Sequence, residues 1–379
     1  MHHFSKNASS WSRPNACGKA HAVICWSSEL KLWRSDELVT AIVYSERYLE
    51  HVLSAGHPEG PERLRAIVEA LKQAGLWKSR DVDVIEPKPA VRADIELAHD
   101  AEYVTLVERL GRSERPLDGD TPVHGNTFEL ALLAAGGAID AGRAVLSRKA
   151  SNAFALVRPP GHHAGRCYGG GFCYFNNIAV MVERLKREFK LRRIFILDLD
   201  AHCGNGTEDI FYNDASVLFM SIHQDPRTLY PGTGYIGELG AGEGEGYTVN
   251  VPLPPGSGDA EYVSVMNEIF VPLTQEFKPE LIALSVGFDA LAEDPLTALG
   301  LTTKAYGWLT KYTVEQANKL CDGKVVLTLE GGYALKPLAD AAVNVVKVLV
   351  GQEQELPRRG KSLPVVDDLE EKLAKYWKI

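Results

Sequence analysis

The chain has 379 residues, 45% hydrophobic and 24% charged, an ordinary globular composition with apolar residues enough for a sizeable core. Its 41 basic and 50 acidic residues leave a net charge of −9, which argues against a general nucleic-acid binder with a basic face. Six cysteines without a CxxC pair (Cys17, Cys25, Cys167, Cys173, Cys203 and Cys321) fit reduced thiols in a cytoplasmic protein, and no apolar run is long enough to span a membrane.

Residues 1–37 are rich in Ser, Asn, His and Trp without periodicity, and are predicted to be an irregular extension preceding one domain over residues 38–379. Thr40–Tyr44 reads as the first strand. In HPEGPERLRAIVEAL, Pro61 suits the first turn of a helix, and Leu64, Ile67, Val68 and Leu71 recur at helical spacing. Arg63 sits in that first turn, where the helix dipole disfavours a cation, so taken alone it reads as a surface residue. Residues Leu117–Thr121 (LDGDT) form a turn. Helix is predicted over Phe128–Leu146, then a buried strand over Ala153–Val157, followed by the loop RPPGHHAGRCYGGGFCYFNN. Ile178–Phe189 returns to helix and leads into IFILDLDAHCGNGT, whose short apolar start reads as a buried parallel strand. Further strands are predicted at Val217–Ile222, Tyr247–Val251, Leu281–Val286 and Val325–Leu329. Helices are predicted over Glu261–Phe277, Thr303–Leu320, Leu338–Val350 and, after a Pro-containing linker, Val366–Trp377.

Strands alternating with helices over some 300 residues predict an α/β fold with a mostly parallel, doubly wound sheet and helices on both faces. The competing architecture is a closed eight-fold barrel. Irregular strand spacing and long loops favour the open sheet.

Four of the buried strands end in polar groups: before His162 and His163, in Asp198, Asp200 and His202, in Asp289, and before Tyr333. The carboxyl ends of parallel strands share one edge of the sheet, so these groups can meet. Asp200, His202 and Asp289 would supply two oxygens and one nitrogen to a metal, with a position left open as in catalytic sites. The alternative is a structural hydrogen-bonded Asp200–His202 pair, and spacing alone does not choose. Asp198 can hold one imidazole of the His162–His163 pair, leaving the other as a base. Tyr333 can donate to a developing oxyanion. Together these groups can hydrolyse an amide or ester.

The ordered motifs RPPGHHA, GFCYFNN, DLDAHCGNGT, PGTG, GFDALAEDP and EGGY resemble the zinc-dependent histone deacetylase family, most closely its class II and bacterial or archaeal branch, over about Thr40–Val350. The resemblance implies the arginase/deacetylase fold, one α/β domain with a parallel eight-stranded sheet. It implies a single zinc ion on Asp200, His202 and Asp289, with His163 as the general base and His162, held by Asp198, as its electrostatic partner. Tyr333 would bind the acyl carbonyl, and Asn205 would face His163. A structural monovalent cation, potassium, is implied around Asp198, Asp200, His202 and Ser221, and a second near Phe211, Asp214 and Val217. Gly171 and Phe172, with aromatic groups near Tyr230, would wall the substrate channel; Asp120 would sit on its rim and Arg63 in an acetate-exit passage.

Two departures stand out. Cys203 replaces the second histidine usual after the first motif's aspartate, and GRCYGG replaces a more acidic loop. The implied substrate is an acyl-lysine peptide or protein. An acetylpolyamine hydrolase is the nearest rival, and Leu296 at the position of its acidic gatekeeper favours the lysine reading, although Glu293 lies close by. A two-metal ureohydrolase and a silent acyl-lysine binder are the more distant alternatives. Neither nucleic acid nor membrane is an expected partner, and a homo-oligomer is left open.

Overall fold

Among the described residues, short runs of β-branched and aliphatic side chains form eight strands, all paired in parallel. They are β1 (Thr40–Val43), β2 (Val82–Ile85), β3 (Asn152–Ala155), β4 (Ile194–Asp198), β5 (Val217–Gln224), β6 (Thr248–Leu253), β7 (Leu281–Val286) and β8 (Val325–Leu329). The computed structural model describes residues 39–54, 56–357 and 363–378. The extension predicted for residues 1–37 lies outside the described residues.

The strand order is β2-β1-β3-β8-β7-β4-β5-β6. Among the described residues the sheet ends at β2 and β6 without closing, so it is open and the barrel is excluded. Every residue of β3, β4, β5, β7 and β8 is buried. That is why these strands read as continuous apolar runs rather than as alternations. β2 escaped the sequence reading. It is an edge strand whose last three residues are only half-buried, and Asp83 interrupts its apolar run.

Two groups of helices cover the sheet. Thr127–Leu146 packs on β1, β3 and β8 and against Asn177–Phe189; Glu62–Gln73, Thr303–Leu320 and Leu335–Leu349 pack side by side as the other group. The helix predicted over Glu261–Phe277 is interrupted. It runs as Asp259–Val265, a widened turn Met266–Phe270, and Val271–Phe277. Pro272 is the cause: it has no N–H to donate and its ring crowds the preceding turn, so the register widens just ahead of it. The helices Ala101–Ser113 and Asn205–Phe211 were not predicted. At the carboxyl end, Pro364–Leu373 starts with proline in its first turn. The turn after it places Trp377, whose Nε1 donates to the Gly246 carbonyl at 2.7 Å and whose ring lies 5.1 Å from Tyr247, beside the β6 edge. No helix among the described residues is long and apolar enough to cross a membrane.

The feature that matters for chemistry is the middle of the strand order. β3, β8, β7 and β4 are contiguous. Their carboxyl ends lead into the segments that carry His162–His163, Tyr333, Asp289 and Asp200–His202 respectively.

Candidate active site

Asp198 is the last residue of β4, in register with Ser221 on β5 and Ser285 on β7. The chain then turns sharply. Asp200 donates its N–H to Asp198 Oδ1 at 3.1 Å, and the His202 N–H reaches Asp200 Oδ1 at 2.9 Å. Asp289 enters from the loop after β7 and accepts the Ala201 N–H on Oδ1 at 2.8 Å. One ligand-type atom from each of Asp200, His202 and Asp289 lies within 4.8 Å of the others. His202 Nδ1 is 3.0 Å from Asp200 Oδ1 and 3.1 Å from Asp289 Oδ2. A Cβ on Gly331 would come within 2.4 Å of Asp289 Oδ2 and 2.7 Å of Asp200 Oδ2, so only glycine leaves these carboxylates room to converge.

Two buried carboxylates pressed against one imidazole carry more negative charge than a dry site tolerates alone. Accordingly, burial and the neighbouring Asp200 push the Asp289 carboxyl up to about 7. Burial disfavours charge on His202, but its hydrogen bonds to Asp200 and Asp289 outweigh that and lift it to about 10. Both shifts express the demand for a positive charge among these three side chains. Two carboxylate oxygens and one imidazole nitrogen suit a divalent ion of zinc type.

His162 and His163 stack with ring centroids 4.0 Å apart, yet they face different partners. His162 Nδ1 meets Asp198 Oδ2 at 3.0 Å, and its Nε2 lies 3.7 Å from Asp200 Oδ1. Burial disfavours its charge, but Asp200 and Asp198 outweigh burial and push it up to about 10. His163 Nδ1 meets Asn205 Oδ1 at 2.7 Å. A carbonyl oxygen only accepts, so Nδ1 carries the proton and Nε2 offers its lone pair. Burial, then the nearby His162 and His202, hold His163 well below the usual histidine range. The pair is therefore split by environment into one charged and one neutral imidazole, the pattern that separates electrostatic from base roles.

Tyr333 follows two glycines with no regular structure around it, so its position rests on side chains from elsewhere. Arg63, 1% exposed and not a surface residue, donates to the Gly332 carbonyl through Nε at 2.6 Å and to the Glu330 carbonyl through Nη2. Its guanidinium carbon lies 5.1 Å from the centre of the Tyr333 ring. Phe172 meets that ring edge-on at 6.0 Å. Phe172 has φ +70 and Gly171 φ +53, a left-handed pair that turns the phenyl ring across the site. A Cβ on Gly171 would lie 2.5 Å from the His163 ring and 2.9 Å from Tyr230, so glycine is needed there. Tyr230, 46% exposed, packs edge-on against His163 at 4.9 Å. Burial holds the Tyr333 phenol well above its usual range despite Arg63, so it remains a donor.

The remaining predicted residues fall as follows. Ser221 Oγ lies 2.8 Å from His223 Nδ1, one strand from Asp198. The Phe211 and Asp214 carbonyls accept backbone N–H groups from Asp214 and Val217. Lys186 Nζ lies 2.6 Å from Asp214 Oδ2, so an ammonium group already neutralises that carboxylate. Asp120 is exposed beside Asp118, and its carbonyl meets His57 Nε2 at 3.2 Å. Leu296 is 38% exposed, with its N–H on Asp294 Oδ1 at 2.9 Å. Cys203 is buried, its Sγ 3.7 Å from Glu208 Oε2; burial, then Glu208, push the thiol well above its usual range and leave it unreactive.

Of the buried acids that carry no role in the sequence analysis, three hold groups around the site. Glu59 binds both Arg63 (3.2 Å) and Arg158 (2.6 Å). Glu330 Oε2 accepts the N–H groups of Gly161 and His162 at 2.7 and 3.2 Å. Asp294 Oδ2 accepts the Tyr333 N–H at 2.7 Å. For the last two the available signal was position: Glu330 directly follows a buried strand, and Asp294 precedes a proline in a motif-bearing loop.

Comparison with known proteins adds an independent line. A family model described as histone deacetylase domain matches residues 57–349. A probable deacetylase of Archaeoglobus fulgidus is 44% identical over 359 residues, covering 90% of this chain and 99% of that protein. Histone deacetylase 15 of Arabidopsis thaliana is 37% identical over 84% of this chain and 58% of its own length. The crystal structure of the HDA15 HD domain superposes with a TM-score of 0.82 at 35% identity, over 90% of this chain and 96% of that one.

Proposed function

The chain belongs to the histone deacetylase family of hydrolases, and from that premise we propose that it is a zinc-dependent enzyme removing acetyl or related short acyl groups from lysine side chains. The observation that carries this reading is the convergence of Asp200, His202 and Asp289, beside His162 held by Asp198 and His163 held by Asn205, with Tyr333 following the neighbouring strand β8 on the same sheet edge.

Asp200, His202 and Asp289 would hold the zinc ion, which supplies Lewis acidity towards the amide carbonyl and its attacking water. His163 takes the water proton on Nε2, because Nδ1 is committed to Asn205. The same nitrogen then returns the proton to the departing lysine amine. His162, kept cationic by Asp198, offsets the negative charge that builds during attack. Tyr333 donates its hydroxyl to the oxyanion formed from the acyl carbonyl. Gly171, Phe172 and Tyr230 would wall the channel for an uncharged, extended stem. Asp120 would meet the substrate backbone at the rim, and Arg63 would guide acetate away. A monovalent ion such as potassium would sit near Asp198 and Ser221.

Tyr333→Phe is expected to lower kcat for an acetyl-lysine peptide by about 10²–10³-fold, the cost of removing one oxyanion donor. Zinc content, measured by plasma mass spectrometry, should be unchanged. An undiminished rate would remove Tyr333 from the mechanism. The substrate is tested by a panel of acetyl-, propionyl- and longer acyl-lysine peptides against N-acetylputrescine. We expect the acetyl-lysine peptide to give the higher kcat/KM, by about tenfold or more. Leu296 supports this, since its aliphatic side chain offers no charge to a second ammonium group. Preference for the polyamine would sink the lysine reading and leave the deacetylase family chemistry intact.

A further inference from the structure

The segment Glu330–Tyr333 has no regular secondary structure, and all four of its residues are tied to groups from elsewhere in the fold. Arg63 holds the Glu330 and Gly332 carbonyls. Asp200 Oδ2 accepts the Gly331 N–H at 2.9 Å, and the Gly331 carbonyl accepts the Phe288 N–H at 3.0 Å. The last tie is Asp294. It is 7% exposed, and its two carboxylate oxygens are divided between different segments. Oδ2 takes the Tyr333 N–H at 2.7 Å, and Oδ1 takes the Leu296 N–H at 2.9 Å. The Asp294 N–H is itself fixed on the Leu291 carbonyl at 3.0 Å. Thr297 Oγ1, one residue past Leu296, donates to the Asp289 carbonyl. Residues 294–297 are therefore latched at one end to Tyr333 and at the other to Asp289.

We propose that Asp294 is a positioning residue for the reaction: its carboxylate fixes the backbone of Tyr333 and couples that backbone to the loop carrying Leu296 and Asp289. The hydroxyl of a tyrosine preceded by two glycines is only as well placed as its Cα. Gly332, at φ +112, supplies freedom and no restraint of its own. Asp294 supplies the restraint. A buried carboxylate receiving backbone N–H donors is a stiff anchor, because loosening it leaves a desolvated charge unpaired. Its second oxygen links the place where a substrate stem would pass Leu296 to the place where Tyr333 meets the acyl carbonyl. This rests on the deacetylase reading only for the role of the Tyr333 hydroxyl.

The test is Asp294→Asn in the zinc-loaded full chain. The amide keeps one acceptor oxygen, so one of the two N–H groups faces an NH2 instead. Misplacing the hydroxyl should lower kcat for an acetyl-lysine peptide by roughly 10–100-fold. KM should move by less than about threefold, because transition-state contact is lost rather than ground-state binding. In the Tyr333→Phe background the same change should cost less than about twofold, since there is no hydroxyl left to misplace. Amide exchange at Tyr333 should quicken by about tenfold or more while residues 198–203 keep their protection. Should Asp294→Asn fail to fold, Asp294→Ser, which leaves one small acceptor and space for water, takes its place with the same readouts. Equal losses in both backgrounds, or unchanged exchange at Tyr333, would overturn the proposal. If the unaltered protein hydrolyses neither the acetyl-lysine peptide nor N-acetylputrescine, the proposed function fails, and the exchange measurement alone decides whether Asp294 anchors Tyr333.

Discussion

Asp289→Ala is expected to strip the divalent metal from the purified protein and to cost about 10⁴-fold in kcat/KM, several kcal/mol of transition-state stabilisation. Only Asp200 and His202 would remain, and two donors hold a divalent ion of this type poorly. Alanine also deprives the Ala201 N–H of its acceptor. Asp289→Asn separates the two effects, since its amide oxygen can keep that hydrogen bond while the negative charge is lost. Metal content should fall in the order parent, asparagine, alanine. Cooperative thermal unfolding should persist in both variants, because the surrounding strands β7 and β4 are packed independently of this side chain. A fully metallated, fully active alanine variant would show that the ion sits elsewhere.

The second large effect concerns stability. Glu59 is buried with Arg63 and Arg158, all three at or near zero exposure. Removing the acid in Glu59→Ala leaves two guanidinium groups without their counter-ion, and breaking a buried pair costs roughly 3–5 kcal/mol. Urea unfolding should show the loss directly as a lower midpoint at an unchanged slope. The pH dependence has a definite sign. Burial alone would raise the Glu59 carboxyl, but Arg158 and Arg63 outweigh it and hold the group below the ordinary carboxylate value. A carboxyl depressed on folding contributes its stabilisation above the unfolded-state value of about 4.3, and loses it as pH falls through the folded value. Parent and variant should therefore differ most at neutral pH and converge on acidification. A difference that stays constant down to acid pH would mean that Glu59 contributes packing and not charge. Activity should suffer as well, since Arg63 would lose one of the three groups that orient it against the Tyr333 strap.

The strands of the sheet's middle were legible because their surroundings leave a plain mark. β4, β7 and β8 are flanked on both sides and covered on both faces, so their residues are apolar without alternation. Once parallel, they bring their ends together, and the grouping of Asp200, His202 and Asp289 follows from that rule. β2 left a weaker mark because only one of its sides is paired and most of its residues are half-buried. The Glu59–Arg63–Arg158 cluster left none. Glu59 and Arg158 are separated by 99 residues, and each charge in isolation looks like an exposed one. Arg63 was legible only through resemblance, since its place in the first turn of a helix argues for the surface. Its burial is explained by carbonyls from a segment 267 and 269 residues away. Asp294 and Glu330 stood inside quoted motifs, but what they hold is backbone, and a backbone N–H has no letter in a sequence.

The contiguity of β3, β8, β7 and β4 has a thermodynamic consequence. The strands whose ends carry the site residues span 152–329, so His162, His163, Asp200, His202, Asp289 and Tyr333 face one another only once the middle of the sheet is paired. Central strands open only with the whole molecule, whereas edges and termini fray at little cost. A metal ion or inhibitor bound there therefore competes with global unfolding and not with a local opening. At a hundred times its dissociation constant it should stabilise the entire domain by about 2.7 kcal/mol. Melting temperature then becomes a readout of occupancy, and a chelator should lower the unfolding transition of the whole sheet rather than loosen one corner of it.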